Sequence, residues 1–243
     1  MHIAMNNLLG SLVRKDVILC CLCAVIFYNF SAIDLWFSGQ FYKGGEFYLD
    51  RHPLVYGTYW LFARVHLLVV GILLMCTLRS LGMAVNRAKV WRKQCSFLLL
   101  VLVLGPGLMV SSMLKNHSIG RARPVQIEQF GGQDHFTPAF VYSGQCRTNC
   151  SFVSGHAAFA FSFMALFFVF GRKRFMLAGI LLGALVGLGR IAQGGHFLSD
   201  VVFSFWVTYF CMLLVAKAFA YQSHWLGLVT TNNSWGQQGK LKF

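Results

Sequence analysis

Acidic residues are scarce in this 243-residue chain: seven Asp and Glu against 21 Lys and Arg. Charged residues of both signs reach only 12%, where a soluble domain carries about 25%. That deficit excludes an ordinary water-soluble domain. The carboxylates placed between the apolar runs are Asp34, Glu46, Asp50, Glu128 and Asp134, too few and too scattered for a hydrolase built on divalent metals. Internal repeats and low-complexity linkers are also missing. One domain is therefore expected, and the inverted-repeat architecture of many transporters is disfavoured. Cys146 and Cys150 have neither a second cysteine pair nor a His-x3-5-His nearby to complete a zinc site. Two readings stay open for them: a disulfide formed in an oxidising compartment, or a metal site.

What the chain has in quantity is apolar sequence, 57% of its residues. Membrane spanning takes roughly 20 mainly apolar residues. Runs of that kind cover 17–33, 65–78, 96–114, 151–171, 175–195 and 197–216. The second extends back through 59–63 if the Arg64 side chain snorkels. These predict an all-α, polytopic membrane protein of six transmembrane helices occupying residues 1–220. A polar tail follows at 221–243. The first run is long for the apolar core of a signal peptide and lacks a small-x-small cleavage site, so it reads as a retained helix.

The net charge of +14 invites a nucleic-acid reading, but its distribution is topological. With a cytoplasmic N-terminus, the inner segments hold Arg14, Lys15, Arg79, Arg87, Lys89, Arg92, Lys93, Arg172, Lys173, Arg174, Lys217, Lys240 and Lys242. The outer ones hold Lys43, Arg51, Lys115, Arg121, Arg123, Arg147 and Arg190. Thirteen against seven orients the chain by the positive-inside rule. No nucleic-acid partner is implied.

Three polar clusters then fall at the outer ends of the predicted helices: "KNHSIGRARP" with Lys115 and Arg123, "SGH" at 154–156, and "GRIAQGGHFLSD" with Arg190, His196 and Asp200. Each cation alone reads as an interfacial anchor and each histidine as a packing residue. Ionisable groups gathered on one side of a membrane mark function instead. Lys115, Arg123 and Arg190 suit a phosphate. Ser154 and Gly155 open a helix, whose first N–H groups favour an anion. His196 and Asp200, four apart, share a helix face, so Asp200 can hold the imidazole by one nitrogen and leave the other nucleophilic. His156, from another helix, can protonate a leaving oxygen. The set needs no metal and no cofactor.

These clusters resemble the three signature motifs of the type-2 phosphatidic acid phosphatase superfamily, K-x6-R-P, P-S-G-H and S-R-x5-H-x3-D. Gly189 stands for Ser in the third, Val153 for Pro in the second, and seven residues rather than six separate Lys115 from Arg123-Pro124. The resemblance implies that His196 forms a phosphohistidine, that Asp200 orients it, and that His156 is acid and then base. It further implies that Lys115, Arg123, Ser154, Gly155 and Arg190 bind phosphate. Vanadium haloperoxidases share the motifs but are soluble. Within the superfamily, "RPVQIEQFGG", "QCRTNCSFVSGHA" and "RIAQGGHFLSDVVF" are similar to bacterial lipid A 4′-phosphatases. That similarity implies a lipid A phosphomonoester as substrate, at the periplasmic face of an inner membrane. Phosphatidylglycerophosphate, phosphatidic acid or undecaprenyl diphosphate are the alternatives within the same chemistry, and a transporter is the alternative outside it. Phe130, Phe136, Phe140 and Tyr142 in the outer loop are expected to lie against sugar and acyl chains. The sequence carries no signal for oligomeric state.

Overall fold

Apolar side chains cover the outside of this bundle as well as its inside, and that inversion orders the architecture. The computed structural model describes residues 14–83, 86–114 and 119–221. Helix α1 (Lys15–Asn29) is followed by the short α2 (Ala32–Gly39), then by a two-stranded hairpin of Tyr42–Lys43 and Glu46–Phe47. Helix α3 (Pro53–Leu81) begins with proline at its first position, where the missing N–H costs nothing, and carries Arg79 in its last turn, against the negative pole. Helix α4 (Asn86–Leu102) runs on into a π-helical stretch, Val103–Leu114. Pro106 sits inside that stretch and cannot donate to the ladder, which widens the turn. The Ser111 hydroxyl donates to the Pro106 carbonyl at 2.8 Å.

Helix α5 (Gly155–Phe161) passes through a 3-10 turn at Ser162–Ala165 into α6 (Leu166–Phe170), which Gly171 ends in the left-handed conformation. Helices α7 (Lys173–Ala192) and α8 (Leu198–Ala218) complete the bundle. Small residues set how closely these pack. Gly179, Gly183 and Gly187 recur every fourth residue on α7, giving the small-xxx-small stripe of membrane helix interfaces. A Cβ at Gly183 would strike the Phe161 ring, one at Gly179 the Met164 backbone, and one at Gly187 the Val201 side chain.

Among the described residues, four helices are long and apolar enough to cross a membrane: Pro53–Leu81, Asn86–Ser112, Lys173–Ala192 and Leu198–Ala218. The predicted first span is a bent pair, α1 and α2 meeting at 82°, and counts as a fifth only if taken as one. The predicted fourth span, Gly155–Phe170, is shorter than a spanning helix. Only 6% of the apolar window of α3 is buried within the chain. In water so large an apolar face would drive association, whereas lipid tails satisfy it.

The two ends of the bundle differ. At one, Lys93 lies over the Tyr221 ring at 4.5 Å, Phe97 meets Phe219, and Tyr209 on α8 reaches Asp16 on α1. The start of α3, the start of α5, the end of α7 and the start of α8 meet at the other. There the loop 119–153 and the hairpin fold over them. Phe130 packs against Tyr42 and Phe47, Phe136 against Phe197, and Phe140 against Phe152 and Phe203. Three of the four aromatic rings expected to meet lipid thus seat the cap on the bundle; Tyr142 remains 78% exposed. Cys146 and Cys150 form a disulfide within this loop. The tail beyond Tyr221 and Lys115 lie outside the described residues.

Candidate active site

The connection between α7 and α8, Gln193 to Phe197, positions two of the site's groups. Gly194 takes a positive φ of 65°, which turns the chain tightly between the end of α7 that carries Arg190 and the His196 that precedes α8. Gly195 donates its N–H to the Arg190 carbonyl at 2.9 Å, and its missing side chain leaves room for the Arg190 guanidinium. That guanidinium is buried, bonded to the Gln193 side chain through Nη1, and lies over the Tyr59 ring at 4.6 Å.

His196 is wholly buried at the threshold of α8. Its Nδ1 lies 2.7 Å from the Ser151 carbonyl oxygen, which can only accept, so Nδ1 carries the proton and Nε2 is the basic nitrogen. Asp200 shares the helix face as its spacing predicts, but its Oδ2 is 3.6 Å from Nδ1. That oxygen accepts from the Ser151 hydroxyl at 2.5 Å and from the Phe197 N–H at 2.8 Å, while Oδ1 accepts from Arg121 at 2.8 Å. The direct hold on the imidazole is therefore a backbone carbonyl, and Asp200 fixes the segment that presents it.

Helix α5 supplies the rest. Ser154 is its N-cap, fully buried, with its N–H on the Asp200 carbonyl at 3.2 Å and its own carbonyl accepting from Ser204. His156, one residue into the helix, stacks obliquely on Tyr59 with ring centroids 5.1 Å apart. Arg123 donates to the Asn149 carbonyl at 2.8 Å. Burial holds the Arg123 guanidinium below the usual arginine value, and it lies within electrostatic reach of Arg190 and Asp200. Among the described residues, the Ser154 hydroxyl and the Arg190 Nε have no hydrogen-bond partner although both are buried. Two polar groups in that condition are costly unless a ligand meets them.

The structure thus brings together Arg123, Ser154, Gly155, His156, Arg190, His196 and Asp200. Lys115 is not among the described residues. Missed by sequence reasoning are Arg121, Asp34, Ser151 and Tyr59. Asp34, read only as a carboxylate between apolar runs, is fully buried. The available signal was the rule that a carboxylate beside an apolar run needs a partner, but nothing local names Arg121 as that partner. An apolar groove of about 760 Å³ opens at the same end, lined by Gly155, His156 and Phe159 and running between α3 and the π-helical stretch to Val70 and Pro106. Among the described residues no group of three or more His, Cys, Asp or Glu side chains is placed to hold a metal ion.

Comparison with known proteins agrees with the motifs. The PAP2 superfamily pattern matches residues 96–224. The lipid A 4′-phosphatase of Francisella tularensis subsp. novicida (strain U112) is 35% identical over 209 residues, covering 81% of this chain and 93% of that protein. The lipid A 4′-phosphatase of Rhizobium leguminosarum is 45% identical over 104 residues, 42% of this chain and 44% of the relative. The one from Rhizobium etli is 45% identical over 103 residues, 41% and 40% of the two chains. No solved structure matches. With more than half of its length matched by one family pattern and a relative aligned over most of both chains, this protein belongs to the PAP2 superfamily.

Proposed function

We propose that the protein is a bacterial membrane phosphatase that removes the 4′-phosphate of lipid A, without a metal or other cofactor, through a phosphohistidine on His196. The observation that carries the chemistry is the pairing of a held imidazole with buried donors that have no protein partner. His196 is fixed through Nδ1, and the Ser154 hydroxyl and Arg190 Nε stand beside it unsatisfied among the described residues. A phosphoryl group supplies three acceptor oxygens for such donors, with Arg123, the Gly155 N–H and Lys115 completing the cradle.

In the first step, His196 Nε2 attacks phosphorus as the bond to the sugar oxygen breaks, and His156 gives that oxygen a proton. In the second, His156 takes a proton from water. The resulting hydroxide attacks phosphorus, the P–N bond breaks, and inorganic phosphate leaves. Asp200 acts one step removed, because the atom on Nδ1 is the Ser151 carbonyl oxygen. The groove beginning at His156 is apolar and bounded by the lipid-facing α3, which suits an acyl chain continuing from the phosphorylated headgroup.

The substrate assignment rests on the names of the three relatives and on the similarity in 123–132 and 145–157. Residues 1–220 make the catalytic membrane domain and 221–243 a polar tail. The chain crosses an inner membrane six times, with the bent first pair and the short 155–170 helix as two of the spans. Both termini are cytoplasmic and the site faces the periplasm. The positive-inside count, the separation of the site from the Lys93–Tyr221 end, and a cysteine pair suited to an oxidising compartment support that orientation.

The test is purified protein incubated with bis-phosphorylated lipid A, followed by mass spectrometry. Loss of one phosphate, with fragments retaining the other at the 1-position, is expected. Intact lipid A beside rapid hydrolysis of phosphatidylglycerophosphate, phosphatidic acid or undecaprenyl diphosphate would reassign the substrate.

A further inference from the structure

Arg121 has no exposed surface, yet it carries a full charge. Its guanidinium is shared between carboxylates from two other elements: Nη2 donates to Asp34 Oδ2 on α2 and Nη1 to Asp200 Oδ1 on α8, each at 2.8 Å. Ser199 closes the group. Its hydroxyl accepts from Arg121 Nη1 at 2.8 Å and donates to Asp34 Oδ2 at 2.5 Å, and its N–H donates to Asp34 Oδ1 at 2.8 Å. The Arg121 Nε donates to the Thr137 carbonyl, and its face lies 4.2 Å from the Phe197 ring centre. The 82° bend between α1 and α2 directs Asp34 into the bundle rather than toward the surface.

Simply clamping the loop to the bundle would need one cation and one anion. A second buried carboxylate is expensive, and here it is Asp200, whose other oxygen holds the Ser151 hydroxyl and the Phe197 N–H on either side of His196. Each carboxylate accepts three donors, a pattern that favours the ionised form, and one cation between two anions leaves one net negative charge beside the imidazole.

We propose that Arg121 and Asp34 are positioning residues for the phosphoryl transfer, fixing the orientation and the net charge of Asp200 and, through it, of His196. The proposal rests on the reading of His196 as nucleophile. Among the described residues, the charged and titratable groups on the elements around His196 are Asp200 on α8, Arg190 on α7, His156 on α5, Tyr59 on α3, Asp34 on α2, and Arg121 and Arg123 in the loop. The Arg121–Asp34 pair can be altered there without removing a group that meets phosphate or carries a proton in the reaction.

Changing either member shifts the charge beside His196 in opposite senses. Asp34→Asn removes a negative charge, so imidazolium is favoured less and the neutral, nucleophilic form persists to lower pH. Arg121→Gln removes a positive charge, so imidazolium is favoured more and the active form is confined to higher pH. The experiment is the pH profile of kcat/KM for full-length protein in detergent micelles, acting on whichever lipid phosphate the wild type hydrolyses. The acidic limb should move down by about one pH unit in Asp34→Asn and up by about one in Arg121→Gln. kcat should fall about tenfold or more with KM changed less than about threefold. Arg121→Lys, which keeps the charge, should return the limb to its wild-type position. Limbs that stay put, or move in the same direction, with activity tracking thermal stability would make the group structural only. If Arg121→Gln does not fold, Asp34→Asn decides alone, because an unmoved limb in that variant overturns the proposal. An inactive wild type overturns the functional reading and this proposal together, whereas an active one with unmoved limbs overturns this proposal only.

Discussion

A single methyl group added at Gly195 should disable the enzyme while leaving its fold intact. The backbone there is not in the positive-φ region, so alanine is accepted without strain. The side chain is the difficulty: an alanine Cβ would sit 2.9 Å from Arg190 Cζ and closer still to Nη2. Carbon atoms pack at about 3.5–4.0 Å, so the guanidinium must retreat by about 1 Å. It is the free end of a flexible side chain, and it yields more readily than the α7–α8 connection. Retreat pulls Nε and Nη2 from the proposed phosphate position and disturbs the contact with Tyr59. Misplacing a positioning group by about 1 Å costs about 10²-fold, close to the 10²–10³-fold for deleting one transition-state donor.

Gly195→Ala should therefore lower kcat/KM by about 10²-fold, with an unfolding midpoint in detergent close to that of the wild type. The decisive assay is a double-mutant cycle. If the methyl group acts only through Arg190, then Gly195→Ala with Arg190→Ala should be no worse than Arg190→Ala alone. Additive losses would refute the reasoning, and so would an active Gly195→Ala protein.

Three further outcomes are expected. His196→Ala should abolish turnover and leave no acid-labile phosphoenzyme, whereas His156→Ala should still trap phosphate from a substrate with a good leaving group; trapped phosphate on the His196→Ala protein would exchange or remove these roles. Gly183→Ala should destabilise the protein by about 1–3 kcal/mol through collision with Phe161, read as a lower melting temperature in detergent, while Gly71→Ala, with open space around it, should be neutral or slightly stabilising. A periplasm-active reporter fused after Gly132 should be on and one fused after Lys240 off; the reverse pattern would invert the orientation drawn from the charge count.

Helix content and the lipid-facing surface were legible in the sequence because both follow from apolar composition over about 20 residues. Where the helices break was not. The run at 17–33 is uncharged throughout, yet the bundle bends it at Phe30–Ser31 so that Asp34 can reach Arg121. The run at 151–171 begins with four residues that lie outside the helix, since Ser151 and Ser154 bond to Asp200 at the α8 start instead of to a preceding turn. Periodicity cannot report such breaks, because they are caused by partners dozens of residues away.

The same limit explains which site residues were readable. Arg190, His196 and Asp200 lie within one short segment, so spacing alone puts them together, and His156 follows once a helix start is recognised. Arg121 and Arg123 stand two apart in "GRARP", a spacing that would put both side chains on one face of a regular strand, yet in this loop they take different partners. Arg123 reaches the Asn149 carbonyl, and Arg121 turns into the protein toward Asp34 and Asp200. The sequence shows two arginines of equal promise beside a proline and offers no local reason to prefer either. What distinguishes them is Asp34, more than eighty residues earlier, and a carboxylate buried in an apolar setting needs a cation as near as that one. The arginine that sequence reasoning left unused is thus bonded directly to Asp200, the carboxylate that spacing alone had picked out.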